Sequence, residues 1–201
     1  MRREMSGDVA AAEPLQQLYL RHDRELKKVR KFIRNQTPKG EFEYLFLEYF
    51  DQMEAWADAA VKSLKASGYK QLYQQSIDAG YMVHGEYNYH NILFDATSEK
   101  DNYGHRKLNV YTVNFDHFKK NVQVEDLYYF LRKAMEKQGF KEWISDGILN
   151  AYSAIIPLGK NELEYLKNRL MYPEKFFKVA NSYYHSNKAW ISIKNVEKVV
   201  D

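Results

Sequence analysis

The chain has 201 residues, enough for one domain with a genuine core. Its 45% apolar and 28% charged residues are globular values, and 30 basic against 27 acidic residues (net charge +3) do not demand a nucleic-acid partner. The absence of cysteine excludes disulfides and zinc-thiolate sites and permits, without requiring, a reducing compartment.

Met1 to Pro14 is charged and then Ala-rich, and it lacks the apolar core of a signal peptide. No apolar run approaches the roughly 20 residues that span a bilayer. A soluble, cytoplasmic protein without a membrane partner is the expectation. The 17 Tyr, 11 Phe and 3 Trp favour a thick aromatic core with Tyr hydroxyls wet at its rims.

In chain order, Leu15, Leu18, His22, Leu26, Val29 and Ile33 step by threes and fours, one stripe of a helix that Pro14 could start. Thr37-Pro38-Lys39-Gly40 ends it. Phe42, Leu45, Phe46, Tyr49, Met53, Trp56, Ala60 and Leu64 form a second stripe, stopped by Ser67-Gly68. The short joint predicts an antiparallel pair. A shorter helix from Tyr69 to Asp78 ends at Gly80. Tyr81-Met82-Val83, Ile92-Leu93-Phe94 and Leu108 to Phe115 then read as short strands. Between the last two, Asp95 to Arg106 reads as a polar loop or hairpin turn around Asp101-Asn102-Tyr103-Gly104. Helical stripes resume at Val124, Leu127, Tyr128, Leu131 and Met135, and again at Phe140, Trp143, Ile144, Ile148, Tyr152 and Ile155. Pro157 and Gly159 break the second stripe. Leu163, Leu166 and Leu170 follow, then Phe176, Phe177, Ala180, Tyr183 and Tyr184, and a last apolar cluster from Trp190 to Val200. The expected class is α+β, mainly α: a helical part over 1–80, a β island over 81–118 and a helical part over 119–201.

The β island carries the chemistry-bearing residues. Phosphoryl transfer needs a carboxylate to orient the acceptor hydroxyl, and an amide oxygen with a second carboxylate to hold magnesium against the phosphates. Glu86 is followed five residues later by Asn91, and Asp116 is expected to end the next strand. His84-Gly85-Glu86-x4-Asn91 resembles the His-Gly-Asp-x4-Asn catalytic loop of aminoglycoside and choline kinases, and Asn114-Phe115-Asp116 resembles their Ile-Asp-Phe metal motif.

More narrowly, the chain resembles the spore-coat kinase-like proteins of the CotS type. Supporting stretches run from Arg24-Glu25-Leu26-Lys27-Lys28-Val29-Arg30 through Asp126-Leu127-Tyr128-Tyr129-Phe130-Leu131 to Asn187-Lys188-Ala189-Trp190. The resemblance implies the C-terminal lobe of a protein-kinase-like fold. Glu86 would orient the acceptor, Asn91 and Asp116 would bind Mg²⁺ and ATP, and His84, the other candidate catalytic residue, would pack under the metal motif. It also implies that Asp126 ties its helix to the catalytic loop; alternatively Asp126 caps that helix. Acceptor pockets would come from Glu41 to Leu64 and Phe140 to Ile155. Two departures stand out. Glu86 replaces Asp, shifting the carboxylate by roughly an ångström, a misplacement that can cost on the order of 10²-fold in rate. No Gly-rich loop precedes a Val-Ala-Ile-Lys-like strand, so the expected partner, an N-terminal ATP-clamping lobe, is absent and the chain is expected to be silent by itself. The alternative is a pseudokinase that serves as a structural or binding component of a spore coat, with a small molecule or coat component as partner.

Two other readings are weaker. His84, Glu86, His90, His105 and His117 could hold zinc, but their spacing fits no standard site. The basic stretch from Arg21 to Lys39 could meet an anionic partner such as nucleic acid, but a solvated helix face explains it better.

Overall fold

The structure is a computed structural model that describes residues 9–100 and 104–185. They form two compact units, one of residues 13–69 with 167–185 and one of residues 9–12 with 70–166.

In the first unit the helical stripes become a dense aromatic core. Helix α1 (Leu15–Asn35) starts directly after Pro14 and buries Leu15, Tyr19, His22, Leu26, Val29 and Ile33. Helix α2 (Glu41–Ala66) runs antiparallel to it, because Arg30 meets Asp51 at 2.5 Å while Lys27, three residues back, meets Glu54, three residues on, at 3.6 Å. Helix α7 (Glu174–His185) adds Phe176, Phe177, Val179, Ala180 and Tyr183 to the same core. Phe46 stacks on Phe176 with ring centroids 5.2 Å apart, and Phe42 stacks on Tyr183 at 4.4 Å. Each fully buried ring contributes roughly 1.5–3 kcal/mol.

The buried polar groups here are mostly matched. Glu43 accepts the Gly40 N–H at 2.9 Å, which caps α2, and the Tyr183 hydroxyl at 2.6 Å. Arg169 is buried against Glu174 at 3.2 Å. His22 differs: its ring stacks on Phe177 at 3.5 Å, and its buried Nδ1 has no hydrogen-bond partner among the described residues. Burial first, then the neighbouring Arg21 charge, pushes its pKa down to about 4.

The second unit contains the β island. Helix α3 (Tyr69–Asp78) leads into β1 (Met82–Val83), which pairs antiparallel with β4 (Lys119–Lys120). Strands β2 (Ile92–Lys100) and β3 (Arg106–Thr112) form a hairpin with Ile92 opposite Thr112 and Phe94 opposite Val110. Helices α4 (Val124–Lys137), α5 (Glu142–Ser153) and α6 (Lys160–Met171) follow. The described residues thus give a mainly helical fold with two small antiparallel sheets. No helix among them is long and apolar enough to cross a membrane.

Three sequence expectations change. Asp95 to Lys100 is strand rather than loop: polar residues are tolerated on this exposed hairpin because β3 supplies the backbone pairing, with a register irregularity between Ala96 and Lys100. Strand β3 ends at Thr112, not Phe115, because Asn114 takes left-handed backbone angles (φ 62°) and Phe115–His117 closes a single 3-10 turn. Asp116 therefore sits in that turn and not at a strand end. The stripe of α5 is mostly exposed: Phe140, Trp143 and Ile155 are 57%, 69% and 83% accessible, and only Ile144 of that helix is buried. The cluster from Trp190 to Val200 lies outside the described residues.

Candidate functional site

The loop from Val83 to Asn91 is fixed almost entirely by hydrogen bonds to its backbone. Asp126 in the first turn of α4 accepts the His84 N–H at 2.7 Å and the Gly85 N–H at 3.0 Å. It therefore ties the helix to the loop, while the N-cap of α4 is Gln123, without a side-chain cap. Burial, the largest influence, raises the Asp126 carboxyl above the usual carboxylate range, against the two N–H donors that lower it. Gly85 is required where it stands. It has φ +85°, and a Cβ there would lie 2.3 Å from the carbonyl oxygen of His117.

His84 is buried, and both ring nitrogens are engaged. Nδ1 accepts the Glu86 N–H at 3.3 Å, so Nε2 carries the proton and donates to the Val113 carbonyl at 2.8 Å. A ring held at both ends by backbone supports the loop. To move a proton it would have to abandon one of those bonds.

Glu86 is exposed at the tip of the loop. Its Oε1 lies 3.6 Å from His117 Nε2, and both side chains are about half accessible. Its carbonyl accepts Nδ2 of Asn88 at 2.8 Å and Nδ2 of Asn91 at 2.9 Å. Asn91 is buried, and its amide bridges two segments: Nδ2 donates to Glu86, which turns Oδ1 to accept Nδ2 of Asn114 at 2.8 Å. Asp116, by contrast, is exposed, and its carboxylate makes no hydrogen bond or ion pair with any described residue.

The structure thus brings together His84, Glu86, Asn91 and His117, and adds Asn114, to which the sequence reading gave no role. The signal was present. In Val113-Asn114-Phe115, Asn114 stands where Ile-Asp-Phe has its carboxylate, and Asn is the residue besides Gly that best tolerates left-handed angles. Magnesium is commonly held by one or two carboxylates together with phosphate oxygens. Here the junction of the loop with the 3-10 turn is an uncharged amide pair, in which the Asn91 oxygen accepts one amide donor and keeps a second lone pair. Among the described residues no group of three or more His, Asp or Glu is disposed to share a metal ion, the zinc candidates included. The junction itself holds no carboxylate; the nearest in sequence, Asp116, stands exposed in the 3-10 turn.

The basic face of α1 is locally balanced. Arg21 pairs with Glu13 at 2.7 Å, Lys27 with Asp23 at 3.0 Å, and Lys28 with Glu25 at 2.8 Å.

No protein-family model matches the sequence, and no curated protein matches it. Among solved structures, the chain is similar to an aminoglycoside phosphotransferase from Alicyclobacillus acidocaldarius, with a TM-score of 0.77 and 14% identity over 94% of this chain and 53% of that one. The chain therefore spans about half the length of that protein. At this identity the likeness shows the fold alone, which is similar to that of an aminoglycoside phosphotransferase.

Proposed function

We propose that this chain is the C-terminal lobe of a kinase-like phosphotransferase fold of the spore-coat CotS type, in which magnesium-dependent transfer has been lost and a binding role kept. The observation that carries the reading is the amide pair: Asn114 Nδ2 donates to the Asn91 oxygen at 2.8 Å, so an amide stands at the junction where transfer chemistry needs a carboxylate. The scaffold around it is intact, with Asp126 clamping the loop and His84 supporting it. Its partner would be a small molecule or a coat component, in the cytoplasm or at the spore coat.

Thermal unfolding in rising MgCl₂, with and without ATP, tests this reading on the wild type and on Asn114→Asp. The wild type should show no saturable shift in its midpoint. Asn114→Asp, which restores a carboxylate beside Asn91, should gain one. A saturable magnesium shift in the wild type would contradict the proposal. It would favour a second reading, an active transferase lobe working with an ATP-clamping lobe, in which Glu86 orients the acceptor hydroxyl and Asn91 and Asp116 hold Mg²⁺ on ATP. The exposure of Glu86 at the loop tip is the observation on that side.

A further inference from the structure

We infer that the cavity between α4 and α5 binds an uncharged small molecule with an apolar ring and a hydroxyl group. The inference deepens the proposed binding role, and rests on it for the claim that binding is the function.

The cavity measures about 450 Å³. That is within the range of small-molecule sites, roughly 300–1,000 Å³. Leu127 and Phe130 of α4 line one side, and Ile148 and Ala151 of α5 the other. It is open for an identifiable reason. Gly147 and Ala151 lie one turn apart on α5, and a Cβ on Gly147 would meet nothing within 4 Å. A glycine inside a helix costs about 1 kcal/mol relative to alanine. Packing against a neighbour does not explain it here, whereas room for a ligand does.

Four polar side chains, Tyr87, Gln123, Asp126 and Tyr152, define the chemistry. Tyr87 and Tyr152 line the cavity, and neither hydroxyl has a hydrogen-bond partner among the described residues. Each can donate to or accept from a ligand hydroxyl. Asp126 is the one carboxylate in the lining, and both its oxygens already accept backbone N–H groups. A polyamine or aminoglycoside would bring several ammonium groups to a wall with a single, already occupied acid. A neutral ring compound matches the aliphatic and aromatic walls and leaves the two phenols and the Gln123 amide as its orienting contacts. The cavity also joins the loop directly, since Tyr87 follows Glu86 and packs edge-on to His84 at 5.9 Å.

The test uses the whole chain with ¹³C-labelled Ile and Leu methyl groups, free of metal and nucleotide. Titration with 2-phenylethanol should shift the Ile148 and Leu127 resonances saturably, with an affinity on the order of millimolar for so small a ligand. Gly147→Leu, which fills the space and favours the helix, should weaken that binding about tenfold or more. Ala151→Leu should do the same, so the proposal stays testable if one variant misfolds. The absence of a saturable shift in the wild type, or equal binding by the filled variants, overturns the site. Saturable shifts of the same methyls by kanamycin overturn the ligand class. Magnesium plays no part in this titration, so its failure leaves the amide-pair reading standing, and saturable magnesium binding would leave the cavity standing.

Discussion

The two compact units spend their polar groups differently. In the unit of α1, α2 and α7, polar side chains serve the core: Glu43 caps a helix and takes a buried tyrosine, and Arg169 is buried with Glu174. Stacked rings run through its core. In the unit of the β island, side chains are used to fix backbone. Asp126, His84, Asn88 and Asn91 all bond to main-chain groups of one short loop, and the adjoining α5 leaves much of its apolar stripe open. The first pattern resists unfolding. The second holds one loop in one shape beside an unfilled cavity, which is what recognition requires. The difference separates where stability resides from where the proposed binding would take place.

The largest expected effect is in the aromatic unit. Phe46 is fully buried, so Phe46→Ala should destabilise by about 3–5 kcal/mol in urea denaturation. A loss under about 1 kcal/mol would mean that the rings are not the source of cohesion.

The next effect sharpens the loop side. Gly85 and Gly104 share φ +85°, but only Gly85 faces a close backbone atom. Gly104→Ala should cost about 1–2 kcal/mol for left-handed strain alone, and Gly85→Ala about 2–4 kcal/mol because His117 must also move. Equal costs would show that the loop and the 3-10 turn are not held in contact.

A smaller effect returns to the aromatic unit. His22 has a pKa of about 4 when folded, below its ordinary value near 6.5, so the unfolded chain binds the proton first. Its neutral form is therefore fully compatible with folding above about pH 6.5, and stability should fall by about 1–3 kcal/mol as pH drops from there toward 4. His22→Phe should flatten that part of the pH profile. An unchanged profile would show that some other group titrates.

Much of the helical fold was legible because burial writes a period into the sequence. The stripe of α1 names four buried aliphatics, Leu15, Leu26, Val29 and Ile33, although it passes over Tyr19. The arms of the hairpin were less legible: Asp95 to Lys100 reads as loop, since an exposed strand needs no apolar alternation when its partner supplies the hydrogen bonds. In the site, the five-residue spacing and the resemblance of His84-Gly85-Glu86 pointed to the loop from Glu86 to Asn91. On the other side the sequence pointed to Asp116 and passed over Asn114, which a left-handed backbone turns onto Asn91. For the cavity the sequence offered only a stretch, Phe140 to Ile155, through the resemblance; Gly147 and Ala151 become meaningful only once α4 is seen across from them.

The most direct test of the metal-free reading watches the amide pair itself. The side-chain NH₂ resonances of Asn91 and Asn114 can be followed while Mg²⁺ is added against a NaCl control of equal ionic strength. If the pair is closed as described, both signals keep their positions beyond the salt control. A saturable shift of both resonances, with loss of the Asn114-to-Asn91 hydrogen bond, would mean that the site opens to accept magnesium and would contradict the account.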